Sequence, residues 1–87
     1  MSELKEKFEK AAVSVKSLAE TPDDNTMLQL YALYKQGSSG DVSGPKPGFF
    51  DFVGTAKYEA WGKLAGTSAE EAQQQYITLV TKLGVEV

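Results

Sequence analysis

Apolar residues fall at Leu4, Phe8, Ala11, Val15 and Leu18, in steps of four, three, four and three. That is the spacing of one helical face, with Glu3, Lys7, Lys10 and Glu20 mostly off it. It predicts a first helix ending near Glu20, because Pro22 disfavours helical geometry at Thr21. Thr21-Pro22-Asp23-Asp24 then reads as a helix start, with capping side chains, a proline near the first turn and acids that suit the macrodipole. The second helix runs to about Gln36, where Gly37 followed by Ser38-Ser39-Gly40 predicts a stop. A third helix is expected from Gly54 to Ala65, carrying Ala56, Ala60, Trp61 and Leu64 and ending at Gly66. Thr67-Ser68-Ala69-Glu70 predicts a capping box, with Thr67 as N-cap and Glu70 at its third position. The fourth helix places Ala72, Tyr76, Leu79, Val80 and Leu83 on one face and closes at Gly84.

Between the second and third helices, Gly37, Gly40, Gly44, Gly48, Pro45 and Pro47 mark a long loop. Phe49, Phe50 and Phe52 at its end are expected to pin it to the bundle. The short connections on either side predict that helices one and two are antiparallel, and likewise three and four. A second helix over 23–36 is about 21 Å long. The segment 37–53 reaches up to about 56 Å, enough to run back along that helix and leave helices two and three parallel. An all-α, four-helix bundle with up-down-down-up topology is therefore allowed.

The chain has 87 residues, which accommodates one domain over 1–87 and one core. A site on so small a body is a surface groove or a shallow cleft. The absence of cysteine removes disulfides and thiolate chemistry. The absence of histidine removes the usual general base and the commonest metal ligand. All nine basic residues are lysines, against twelve acids, for a net charge of −3. An acidic chain with no arginine is a poor nucleic-acid binder. No apolar run approaches the roughly 18 residues of a membrane span. The charged start Met1-Ser2-Glu3-Leu4-Lys5 has neither the apolar region of a signal peptide nor a myristoylation glycine. The expectation is a soluble, cytoplasmic binding protein that does no chemistry.

The second helix is the most informative segment. At 100° per residue, Leu30 and Leu33 fall on a core side, while Leu28, Tyr31 and Lys35 lie within about 60° of one another on the other. Met27 and Tyr34 lie between the two. An apolar foot, a phenol and an ammonium in one stripe suit an amphipathic ligand. A half-buried tyrosine at the core edge beside a solvated lysine has the same spacing. Lys16, Lys57 and Tyr76 taken singly read as surface lysines and a core tyrosine. The paired acids Asp23-Asp24 and Glu70-Glu71 sit at helix starts, where carboxylates are stabilised by the dipole. The loop from Gly37 to Gly44 has no preceding strand and no GK[ST], so it is no phosphate-binding P-loop, and the scattered acids lack EF-hand spacing.

Tyr31-Ala32-Leu33-Tyr34-Lys35-Gln36, Gly40-Asp41, Pro47-Gly48, Asp51-Phe52, Ala56-Lys57-Tyr58-Glu59-Ala60-Trp61, Gly66-Thr67-Ser68 and Tyr76-Ile77 follow one another in an order that resembles the acyl-CoA-binding protein (diazepam-binding inhibitor) family. The resemblance runs from Phe8 and Ala12 to Val80. It implies an up-down-down-up four-helix bundle and non-catalytic binding of long-chain acyl-CoA, with no cofactor. It also implies a monomeric carrier and pool former serving acyl-CoA-using enzymes. By the same resemblance, Tyr31, Lys35 and Lys57 would hold the ribose 3′-phosphate, and Tyr34 and Tyr76 would help bind the adenine and the CoA head. Lys16 would line the site from helix one, and Ala12, Met27 and Leu28 would lie along the acyl chain. Tyr58 stands where the family usually carries Trp, and Val53 and Thr55 where it commonly carries lysines.

Two other function classes compete. A groove for a partner helix would call for more apolar anchors and no phosphate-sized cluster of Lys and Tyr. An enzyme would need a base or nucleophile pair that this composition does not supply.

Overall fold

In the computed structural model, which describes residues 3–18 and 20–85, four α-helices and one 3-10 turn account for the regular structure. They are α1 (Glu3–Ser14, continued by the 3-10 turn Val15–Ser17), α2 (Asp24–Ser39), α3 (Phe52–Gly62) and α4 (Ala69–Lys82). The first helix is shorter than its apolar stripe suggests. Val13, Ser14, Val15 and Ser17 are weak helix formers, and Leu18 N–H closes a tight last turn onto the Val15 carbonyl at 3.3 Å. Of the expected end at Glu20, Ala19 lies outside the described residues.

Three of the helix starts are fixed by side-chain caps. Asp23, expected as the first residue of the second helix, is its cap and accepts from Thr26 N–H at 3.0 Å. The α3 cap is Asp51, accepting from Gly54 N–H at 2.9 Å, so that helix begins two residues before the glycine from which it was expected to start. For α4 the cap is Ser68 rather than Thr67. Ser68 Oγ accepts from Glu71 N–H at 3.1 Å, which moves Glu71, not Glu70, to the third position. Thr67 is instead committed through its backbone: its N–H donates to the Leu64 carbonyl, and its own carbonyl accepts from Gln36.

Contacts between named residues give the topology. Along α2 and α3, Tyr31 meets Lys57 and Lys35 meets Trp61, so residue numbers rise together and the helices are parallel. Gly37 approaches Gln73, whereas Gln29 and Lys82 share one surface, so α2 and α4 run antiparallel. Phe8 meets Tyr34 while Ala12 and Lys16 face the Met27 end, so α1 is antiparallel to α2. The result is the up-down-down-up bundle. The main packing is of α2 on α4 and α3, and of α1 on α4. Short connections therefore do not mark the most extensively packed pairs.

The core holds Phe8, Ala11, Leu30, Leu33, Ala72, Tyr76 and Val80. Leu30 and Leu33 occupy the side of α2 that periodicity assigns to the core. Gly37 does not end α2. It lies buried in the last turn of the helix, where a Cβ would stand 3.0 Å from Gln73 Cγ and 3.1 Å from Phe8 Cζ. Gly40, at φ 81°, is the residue that ends the helix.

The loop is held by hydrogen bonds and not by its phenylalanines. Trp61 Nε1 donates to the Gly40 carbonyl at 2.8 Å, and Tyr58 Oη to the Gly44 carbonyl at 2.9 Å. Fully buried Gln36 donates from Nε2 to Asp41 Oδ1 at 2.8 Å and to the Thr67 carbonyl at 2.7 Å. Asp41 Oδ1 also accepts from Gly66 N–H at 2.9 Å. These bonds join the end of α2, the loop and the α3–α4 turn. Phe49, Phe50 and Phe52 are 84, 83 and 72 % exposed, against the expectation that they anchor the loop. The Gly48–Asp51 turn and the Asp51 cap carry the three rings outward.

Candidate functional site

The outer face of α2 forms one wall of an open cleft of about 930 Å³. Opposite walls come from α3 and from the end of α1 with its following connection. Of the residues singled out in the sequence, Ala12, Lys16, Met27, Leu28, Tyr31, Tyr34, Lys57 and Tyr76 line this one space. Lys35 does not. Its Nζ stands 4.9 Å from the Trp61 ring centroid, a cation–π contact one turn beyond Tyr31.

The helical period explains the α2 wall. Met27, Leu28 and Tyr31 reach the cleft from the side of α2 opposite Leu33, and Leu30 and Tyr34 line it from the edge of the core. On α3, Val53 and Ala56 precede Lys57 on the same side. Lys57 Nζ lies 5.3 Å from the Tyr31 ring centroid, so an ammonium and a phenol meet where the parallel helices face each other. Four residues back on each helix, Met27 and Val53 stand at the same level. The cleft thus runs from a Lys–Tyr end to an end built from Met27, Leu28, Leu18, Pro22, Phe52 and Val53.

Its floor is aromatic. Phe8 stacks on Tyr34 at 5.4 Å and meets Tyr76 edge-on at 5.2 Å, and the two tyrosine rings lie 6.1 Å apart. Tyr76 is buried, Tyr34 half in solvent. Burial first, and then the neighbouring Tyr34 hydroxyl, push the Tyr76 phenol above its ordinary value, so it remains a neutral donor at physiological pH. Glu20 and Asp24 also line the cleft, toward the start of α2. Among the described residues no group of three or more His, Cys, Asp or Glu comes together in a metal-binding arrangement.

Several lining residues escaped the sequence reading: Val15, Leu18, Pro22, Phe52, Val53 and Ala56. Val53 and Ala56 carry a signal, since they precede Lys57 by four and by one. Leu18 and Pro22 carry none, because the path of the α1–α2 connection brings them to the cleft.

The family model described as "Acyl CoA binding protein" matches residues 5–80. The chain belongs to the acyl-CoA-binding protein family. An acyl-CoA-binding protein homolog of Drosophila melanogaster is 55 % identical over 78 residues, covering 90 % of this chain and 91 % of the relative. A homolog from Manduca sexta is 46 % identical, covering 95 % and 98 %. In three dimensions the chain is similar to acyl-CoA-binding protein 2 of Oryza sativa, with a TM-score of 0.87 at 41 % identity, over 92 % of this chain and 89 % of that one. This member of the acyl-CoA-binding protein family therefore shares its four-helix fold with a solved relative. No helix among its described residues is long and apolar enough to cross a membrane.

Proposed function

We propose that this chain binds long-chain acyl-CoA thioesters without transforming them. It acts as a monomeric, cytoplasmic carrier and buffer that passes them to acyl-CoA-using enzymes, with residues 1–87 forming one acyl-CoA-binding domain. The observation that carries the reading is the meeting of Lys57 with Tyr31 at one end of an otherwise largely apolar cleft, in a member of this family. The cleft volume lies within the usual range for small-molecule sites.

In this reading Lys57, Tyr31 and Lys35 hold the ribose 3′-phosphate. An ammonium serves as a point charge for a dianion and a phenol as a donor. Lys35 joins them by exchanging the Trp61 ring for the phosphate, a swing of one flexible side chain. Tyr34 and Tyr76 give the adenine and the CoA head aromatic and hydroxyl partners, and Lys16 lines the cleft from α1. The acyl chain lies along Ala12, Met27 and Leu28, with Val53 and Ala56 opposite. Each methylene it buries contributes about 0.8 kcal/mol, so a long chain dominates affinity once the head is anchored. With neither histidine nor cysteine in the chain, the cleft offers no paired base and nucleophile.

Calorimetric titration with a long-chain acyl-CoA, free CoA and the free fatty acid tests this. Acyl-CoA should bind far more tightly than either half. Equal affinity for the fatty acid and the acyl-CoA would point to a generic lipid carrier and sink the proposal.

A further inference from the structure

Two of the nine lysines line the cleft, Lys57 from α3 and Lys16 from the 3-10 turn that continues α1. Their surroundings differ. Lys57 Nζ stands 5.3 Å from the Tyr31 ring centroid, at the end assigned to the phosphate. Lys16 is exposed, and among the described residues no ion pair or cation–π contact holds it. Glu20 and Asp24 line the same cleft, and neither is paired with it. A lysine amine is a nucleophile toward carbonyl carbon whenever it is neutral.

The proposed ligand is an activated acyl group, and this inference rests on the function proposed above. Its thioester is the bond that joins the CoA head to the acyl chain. Lys57 belongs to the head end, where it holds the phosphate as an ammonium, and an ammonium has no lone pair with which to attack. Lys16 follows Ala12 by four residues, and Ala12 is assigned to the acyl chain. Lys16 is thus the cleft lysine on the chain's side of the thioester, with no assigned anion to occupy it.

Confinement supplies the rate. One thioester held in about 930 Å³ is at an effective concentration on the order of 2 M toward a group lining that space. The exposed lysines outside the cleft, Lys63 and Lys82 among them, meet only free ligand.

We propose that Lys16 is a modification site, acylated by the acyl-CoA bound in the cleft. The neutral amine attacks the thioester carbonyl carbon, the carbon–sulfur bond breaks, and CoA leaves as the thiolate. The thiolate takes up the proton that the new amide nitrogen releases. The products are an amide-linked acyl chain on Lys16 and free CoA, and no other reactant enters. The reaction happens once per protein molecule, so it is a modification and not turnover. It is slow, because amines are mostly protonated at neutral pH. The tethered chain keeps the apolar end of the cleft within reach and takes the place of the next ligand.

The test incubates the chain at mildly alkaline pH with palmitoyl-CoA, at a concentration that calorimetry shows to be saturating. Intact mass should rise by one acyl group. The adduct should survive neutral hydroxylamine, as an amide does and an ester on tyrosine does not. Peptide mapping should place it on Lys16 at about tenfold or more above Lys63 or Lys82, the excess that confinement gives. An excess of the non-cleavable thioether analogue of palmitoyl-CoA should suppress it. Lys16→Arg, saturated according to its own calorimetric isotherm, should not form it. Even labelling of the lysines would overturn the inference, as would a main site at Lys57 or labelling that the analogue leaves undiminished. Calorimetric binding of the analogue with no adduct from palmitoyl-CoA would overturn this inference and leave the carrier function standing. No binding of the analogue would refute the carrier function, and the modification with it.

Discussion

The ammonium of Lys57 stands 5.3 Å from the centre of the Tyr31 ring, across the seam between the two parallel helices α2 and α3. One turn further along the same seam, Lys35 stands 4.9 Å from the ring of Trp61. The two lysines are equivalent in type and differ in position: Lys57 lines the cleft and Lys35 does not. In the proposed binding mode a phosphate at the Tyr31 end would meet Lys57 where it already lies and would draw Lys35 off an aromatic ring.

Lys57→Ala should therefore weaken acyl-CoA binding by about ten- to a hundredfold, the cost of one charged hydrogen bond at roughly 1.5–3 kcal/mol. Lys35→Ala should cost less, because the wild-type side chain gives up its contact with Trp61 on binding. Lys82, on α4 and outside the cleft, is the control. Calorimetry on the three variants decides: equal losses for Lys57→Ala and Lys82→Ala would mean that the phosphate site is misplaced.

Tyr31 separates a donor from a filler. Tyr31→Phe keeps the ring under Lys57 and removes the hydroxyl. We expect reduced acyl-CoA affinity with a melting temperature near wild type. Tyr31→Ala, which removes the ring of a half-buried residue, should lower both. Full affinity in the Phe variant would reduce Tyr31 to a packing residue.

Asp41 makes stability depend on pH. The Gln36 amide, and then the Gly66 N–H, hold its carboxyl below the ordinary 3.8. A carboxyl depressed by folding contributes stability that is present above its unfolded pKa and lost as pH falls through its folded one. Wild-type stability should thus decline as pH drops below about 3.8, with Asp23 at the α2 cap adding in the same direction. Asp41→Asn keeps an oxygen for both donors and removes the titration. Chemical denaturation across that range should show a shallower acid decline for the variant, and identical slopes would exclude Asp41 as a contributor.

Gly37→Ala sets helix propensity against close packing. Alanine gains roughly 1 kcal/mol in a helix interior. The added Cβ, however, meets Gln73 and Phe8 at 3.0 and 3.1 Å, and threatens the Gln73 Nε2 hydrogen bond to the Gly37 carbonyl. Overpacking costs about 1–3 kcal/mol, so the variant should be less stable on balance. In a Gln73→Ala background the penalty should shrink, a coupling that a double-mutant cycle reads directly. A stabilised Gly37→Ala would show that the crossing of α2 and α4 has room to spare.

The sequence by itself determined the local features. Periodicity reports which residues share a face, and it marked Leu30 and Leu33 as core and Leu28 and Tyr31 as the outer stripe. The start of α2 was legible to within one residue from Thr21-Pro22-Asp23-Asp24, because a cap and its partner, here Asp23 and Thr26, are three residues apart. The order of motifs from Tyr31 to Ile77 carried the family, and with it most of the candidate site. Tertiary structure decided which faces meet. Gly37 and Gly40 look alike in sequence, but one admits α4 and the other turns the chain at φ 81°. Thr67 and Ser68 are equally good caps, and the buried Gln36 settles the choice by claiming the Thr67 carbonyl. The three phenylalanines are left outside because Tyr58 and Trp61 already hold the loop by their hydrogen bonds. Lys35 lies at Trp61 rather than in the cleft for a similar reason: the ring it meets is 26 positions further along the chain, beyond anything that spacing within one helix can register.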